Sequence, residues 1–271
     1  MTLETKWIRY GKNEEYVGYM AKMDRVNENL PAIIVIQEIW GVDAHIQDVA
    51  ERFAQAGYLA FAPDLYAKNG CRIEDLKAER VEEVKSFMDS LPHSVWNNPA
   101  EREKALDELE EGKRNRVTKT FETMFGGLNS AHYIEELLET SRFLREECKA
   151  SKGQGVVSVG FCMGGALSGL LSSRDPQLKG AAIFYGNPPS TEELKNINCP
   201  VYGFYGDLDK RISEHVPNFA EQMKKQGKSF EYQIYPNTQH AFFNDTRSAY
   251  NVESARDAYQ KVLQFFSQVL K

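Results

Sequence analysis

A chain of 271 residues, 42% hydrophobic and 27% charged, can build one large α/β domain or two small ones, with the composition of an ordinary globular protein. Its formal charge of -6 is mild and spread along the chain, which argues against a nucleic-acid groove and against an anionic membrane surface as partner. No stretch reaches membrane-span length, the start Met1-Thr2-Leu3-Glu4-Thr5-Lys6 lacks a signal-peptide core, and Cys71, Cys148, Cys162 and Cys199 show neither close pairing nor metal-ligand spacing, so reduced thiols in a cytoplasmic protein are expected.

Residues 7–10 and 16–23 read as an opening hairpin. Ala32-Ile33-Ile34-Val35-Ile36 is a β-branched run of the kind buried on both faces of a sheet. A helical pattern over 44–56 ends at Gly57, and Tyr58-Leu59-Ala60-Phe61-Ala62 is a second strand stopped by Pro63-Asp64. From about 68 to 125 there is no convincing strand, only charge-dense helical sequence such as Glu101-Arg102-Glu103-Lys104-Ala105-Leu106-Asp107. Its thin apolar content makes it a helical insertion in a single domain over 1–271. It follows the second parallel strand, beside the sheet edge where open α/β folds bind ligands, and reads equally as a lid or as an external decoration. Further strands are expected near 155–160, 180–185, 200–205 and 230–235, and helices near 129–149, 163–174, 213–226 and 251–270. This alternation predicts an α/β fold with a mostly parallel central sheet and helices on both faces.

The strand Val156-Val157-Ser158-Val159 runs into Gly160-Phe161-Cys162-Met163-Gly164-Gly165 and at once into the small-residue helix Ala166-Leu167-Ser168-Gly169. Gly-x-Cys-x-Gly between strand and helix has the form of a nucleophile elbow with cysteine where serine is usual. Its glycines leave room for a strained turn, and the helix N-terminus favours thiolate over thiol. The plainer reading is a core cysteine in a tight turn.

A thiol nucleophile needs a base and the base an orienting acid, in the chain order nucleophile, acid, histidine. Downstream lie only His215, in a predicted surface helix, and His240, in a loop after the strand Tyr232-Gln233-Ile234-Tyr235. His240 is the better candidate. In Gly206-Asp207-Leu208-Asp209-Lys210-Arg211-Ile212 the pattern selects Asp209, with Asp207 the alternative and two ordinary turn aspartates the plain reading. The backbone N–H of Met163 is one expected oxyanion donor, and Ile39 in Glu38-Ile39-Trp40-Gly41 the other. Glu38, a carboxylate ending a buried strand, is costly unless paired or protonated.

Ile36-Gln37-Glu38-Ile39-Trp40-Gly41-Val42, Ala62-Pro63-Asp64-Leu65-Tyr66-Ala67, Gly160 to Leu167, Phe184-Tyr185-Gly186 and His240-Ala241-Phe242 together resemble the dienelactone hydrolase family, over most of the chain except the insertion. The resemblance implies an α/β-hydrolase fold and cleavage of an enol-lactone by a Cys-His-Asp triad, here Cys162, His240 and Asp209. It implies that Glu38 interacts with the resting thiol and takes its proton when substrate binds. It also implies substrate-site positions for Trp40, Tyr66 and Tyr185. The family enzyme holds a substrate carboxylate with arginines, one of them four residues past the catalytic histidine, where this chain has Asn244. A neutral amide forgoes the bidentate pairing of an arginine.

The resulting expectation is a hydrolase of a small-molecule ester or lactone acting through a thioacyl intermediate, with no metal or organic cofactor. Activated esters, enol-lactones and thioesters are expected before peptides. A non-catalytic ligand-binding protein and a thiol redox sensor on the same fold are the alternatives. The sequence carries no signal of oligomeric state.

Overall fold

The computed structural model describes residues 2–271 except 93–94, 96–97 and 127–129, with Ser130 described by its backbone alone. β1 (Leu3–Tyr10) and β2 (Tyr16–Met23) form the opening hairpin, with Leu3 opposite Met23. β3 (Ala32–Ile36), α1 (Ala44–Gln55) and β4 (Leu59–Pro63) make the first parallel unit. All five residues of β3 and of β4 are buried, as their unbroken apolar runs require of strands covered on both faces.

The insertion begins with two short strands, β5 (Ala67–Lys68) and β6 (Cys71–Arg72), paired antiparallel. This hairpin was not expected from the sequence. Its signal is the dipeptide Asn69-Gly70, whose φ values of 52° and 75° are those of a tight two-residue hairpin turn. A 3-10 turn (Glu74–Leu76) leads into α2 (Ala78–Asp89), α3 (Pro99–Asp107) and α4 (Glu111–Gly126). α5 (Ser130–Glu146) returns the chain to the sheet; the expected helix start at 129 lies outside the described residues.

The second half alternates as expected: β7 (Val156–Phe161), α6 (Met163–Arg174), β8 (Ala181–Phe184), α7 (Thr191–Leu194) and β9 (Val201–Gly206). The single helix expected over 213–226 is instead two, α8 (Lys210–Ser213) and α9 (Val216–Lys225). Pro217 sits in the first turn of α9, where its missing N–H costs nothing, so the chain starts a new helix there. β10 (Phe230–Tyr235) and α10 (Val252–Val269) complete the chain.

The sheet order is β1-β2-β4-β3-β7-β8-β9-β10, parallel from β4 onward. One core face packs under α1 and α10 through Val49, Phe53, Ala258, Val262 and Phe266. On the other, Val81, Val84, Phe87 and Met88 of α2 and Val117 and Met124 of α4 join the cluster of Ile34, Ile36 and Phe61. The helices of the insertion pack chiefly on one another, and their apolar side is continuous with the core on this face. Among the described residues no helix is long and apolar enough to cross a membrane.

β7 and α6 meet in the tightest backbone approach of the centre. A Cβ on Gly160 would lie 1.8 Å from the Gly164 carbonyl oxygen, and one on Gly164 would lie 2.3 Å from that of Ile36 and 2.4 Å from that of Gln37. Backbone cannot yield as a flexible side chain would. Gly164→Ala is expected to lower the unfolding free energy by about 3 kcal/mol, at the upper end of overpacking costs, read as a reduced urea midpoint with unchanged slope.

Candidate active site

Cys162 is the residue between β7 and α6, at φ 56° and ψ -113°. A non-glycine side chain there is strained, and such strain gathers at functional sites. The turn is held by Cys162 N–H donating to the Phe184 carbonyl (3.0 Å) and by Gly165 and Ala166 N–H donating back to the Cys162 carbonyl. The side chain is a free, partly exposed thiol. Met163 opens α6, in the first turn where backbone N–H groups have no intrahelical acceptor, so its amide is available beside the sulfur.

β9 ends at Gly206, and the loop beyond it brings Asp209 to the histidine: Asp209 Oδ2 lies 2.5 Å from His240 Nδ1. Asp207 does something else. Its Oδ1 accepts from the Thr238 N–H at 3.1 Å, pinning the loop that carries His240. The Asp209 contact at Nδ1 leaves Nε2 of the imidazole free to serve the nucleophile, and the Cys162 sulfur is near enough to favour the charged ring. Burial works against an imidazolium, but the Cys162 sulfur and the Asp209 carboxylate outweigh it and push His240 up from 6.5 to about 10. His215 caps α9 as an exposed residue and takes no part.

Glu38 follows β3 by two residues and is buried. Its Oε1 accepts from the Tyr185 hydroxyl at 2.9 Å and its Oε2 from Asn244 Nδ2 at 2.8 Å. Burial and the neighbouring Glu38 raise Tyr185 well above the phenol range, so its hydroxyl stays a donor. Both Glu38 oxygens are thereby engaged. Asn244 and Tyr185, expected at the substrate, instead have no exposed surface, and their polar atoms face Glu38; the Asn244 Oδ1 accepts from the Thr246 N–H and hydroxyl. The aromatic ring of Tyr185 does border the site, edge-on to His240 with centroids 5.0 Å apart.

The loop after Glu38 is shaped by the Gly41 N–H donating to the Glu38 carbonyl (3.2 Å) and by the Tyr66 hydroxyl donating to the Ile39 carbonyl (2.5 Å). Tyr66 thus spends its hydroxyl on the expected oxyanion loop. Arg72 from β6 lies 5.8 Å from the Tyr66 ring centre and pairs with Asp64 at 2.6 Å. Trp40 is buried under the Arg247 guanidinium, 5.2 Å above its ring, and Arg247 pairs with Asp89 at the end of α2 (2.7 Å). One turn earlier on α2, Lys85 pairs at 2.9 Å with Asp43, the N-cap of α1. Sequence reasoning missed these two clasps, since Arg247 and Asp89 are 158 positions apart and no local pattern links them.

The site thus brings together a strained elbow cysteine at a helix N-terminus and an imidazole bound to a carboxylate. Residues 17–270 match the sequence pattern of the Dienelactone hydrolase family. The chain belongs to that family. Relatives named putative carboxymethylenebutenolidase include one from Saccharolobus solfataricus, 35% identical over 89% of this chain and 90% of its own, and one from Synechocystis, 31% identical over 96% and 94%. The crystal structure of a putative dienelactone hydrolase from Klebsiella pneumoniae superposes with a TM-score of 0.74 at 26% identity, covering 99% of this chain and 100% of that one. The protein is therefore a hydrolase of the dienelactone hydrolase family on an α/β-hydrolase fold.

Because the His240 value is raised in the fold, its contribution to stability is present in full below pH 6.5 and is lost as the pH rises through about 10. The stability advantage of the wild type over Asp209→Asn is expected to be largest near pH 6 and to shrink towards pH 10 in denaturation midpoints. Nitrogen-15 NMR of the ring is expected to report a protonated imidazole at pH 8, titrating lower in the variant.

Proposed function

We propose that this dienelactone hydrolase family member hydrolyses a carboxylic ester or lactone through a thioester on Cys162. The observation that carries the reading is the His240 imidazole, bound through Nδ1 to Asp209 and held in its charged form by Asp209 together with the neighbouring Cys162 sulfur at the start of α6. His240 takes the thiol proton, and Asp209 holds the ring in register and stabilises the imidazolium. The sulfur attacks the acyl carbon, and the developing oxyanion is met by the Met163 amide and by the Ile39 loop that Tyr66 and Gly41 brace. The imidazolium returns its proton to the leaving oxygen as the C–O bond breaks, leaving a thioester. His240 then removes a proton from water, hydroxide adds to the thioester carbonyl, and the thiolate departs with the acid as product.

Glu38 holds a different place in this scheme. With both oxygens engaged by Tyr185 and Asn244 it braces the floor of the site, and proton transfer at the sulfur falls to His240. The names of the relatives, carboxymethylenebutenolidases, support an acyl-oxygen bond in a lactone or ester as the bond broken. Esters and lactones suit a thiol better than amides do, because from the tetrahedral intermediate an amine is expelled much less readily than the thiolate, whereas an activated ester or enol oxygen competes with it.

Cys162→Ala is expected to reduce p-nitrophenyl acetate and enol-lactone turnover by at least about a thousandfold, and His240→Ala by a similar factor, as for other nucleophile–base pairs. Mass spectrometry of the wild type quenched during turnover is expected to find the acyl group on Cys162. Turnover that survives Cys162→Ala, or an acyl group on another residue, sinks the proposal.

A further inference from the structure

Resting on that hydrolase reading, we infer that the acyl site is built for an uncharged substrate and discriminates against esters or lactones that carry a carboxylate. The charges around the nucleophile point this way. Gly164, two residues past Cys162, rests against the Ile36 and Gln37 carbonyls. The Tyr185 ring centre stands 5.0 Å from that of His240, which sets the Glu38 network beside the elbow. The Tyr66 hydroxyl on the Ile39 carbonyl brings the Tyr66–Arg72 corner to the same loop. In the Glu38 network the acceptor is the carboxylate, and its partners are a phenol and an amide. Among the described residues no cation pairs with Glu38, so both oxygens of this buried carboxylate are held by neutral donors alone.

At the Tyr66–Arg72 corner the cation is Arg72, and Asp64 takes it at 2.6 Å, with both side chains largely buried. Arg72 also hands an N–H to the Leu76 carbonyl (3.4 Å) and presses on the Gly41 backbone. Arg247 above Trp40 is likewise paired, with Asp89. Asp43 at the start of α1 is matched by Lys85, and Asp209 by His240. Among the described residues each buried or half-buried cation named here is thus matched to a carboxylate, while Glu38 remains over. Lys210 and Arg211, just after Asp209, are exposed on α8, where water and salt screen them.

A carboxylate brought to Cys162 approaches the Glu38 carboxylate. Among the described residues it finds no buried cation that is not already matched to a carboxylate, and it sheds hydration on binding. A neutral acyl chain has neither penalty.

The test compares mono-p-nitrophenyl glutarate with its methyl ester, which differ only in the charge at the far end of the acyl chain. Rates measured with Cys162→Ala are subtracted to remove spontaneous and non-specific hydrolysis. The methyl ester is expected to be preferred in kcat/KM by roughly 30-fold or more, equivalent to about 2 kcal/mol. Equal rates, or a preference for the free acid, overturn the inference and leave the cysteine hydrolase standing. No Cys162-dependent turnover of either ester overturns the hydrolase reading, and this inference with it.

Discussion

The close approach of the β7–α6 turn to the end of β3 is the constraint on which the site depends. Gly164 rests against the carbonyls of Ile36 and Gln37, and Gly160 against Gly164. That contact leaves the intervening Cys162 at positive φ, a conformation costing about 1–3 kcal/mol for a residue with a side chain. The cost is sustained because β7 is central in the sheet, hydrogen-bonded to β3 on one side and β8 on the other. Two consequences follow from the same geometry. The sulfur stands at the positive end of α6, and Glu38, the second residue past β3, arrives beside the elbow.

A buried carboxylate in such a place needs donors. Tyr185 comes from the end of β8 and Asn244 from the loop beyond His240, so the Glu38 network ties three segments of the sheet edge together. Tyr185 and Ala241 are themselves at positive φ, 41° and 60°, next to the residues they serve. The strain is therefore concentrated where the strand ends converge. The insertion is joined to the same edge by charge: Arg72 to Asp64, Lys85 to Asp43, Asp89 to Arg247. Arg72–Asp64 and Lys85–Asp43 are sheltered and so screened less than surface pairs, while Asp89 is exposed. The Lys85 and Asp89 pairs tie α2 to the edge. Beneath them the apolar side of α2 and α4 enters the core. The insertion is packed against the loops that frame the site, a position open to both sequence readings of it.

Strands were the most legible elements, because β3, β4 and β7 are unbroken apolar runs with turn residues at each end. The misses have local chemical causes. Asn69-Gly70 is a hairpin signal hidden in a charge-dense stretch, and Pro217 restarts a helix whose periodicity looks continuous across 213–226. In the site, the order of Cys162, Asp209 and His240 was readable from spacing and turn residues. The choice of Asp209 over Asp207 was a matter of loop geometry: two residues apart, one reaches the imidazole and the other the Thr238 amide.

The sequence by itself determined the α/β alternation, the elbow cysteine and its glycines, and the candidates for base and acid, because each rests on periodicity or on steric demands within a few residues. Only the tertiary structure decided what Glu38, Asn244 and Tyr185 do. Their partners lie 147 and 206 positions away along the chain, and hydrogen bonding between buried polar groups at that separation leaves no local pattern. The same holds for the charges at the rim. Composition counts the arginines and aspartates, but only their pairing across the sheet edge, set by how the strands end and the insertion packs, decides which charge is left for a substrate to meet.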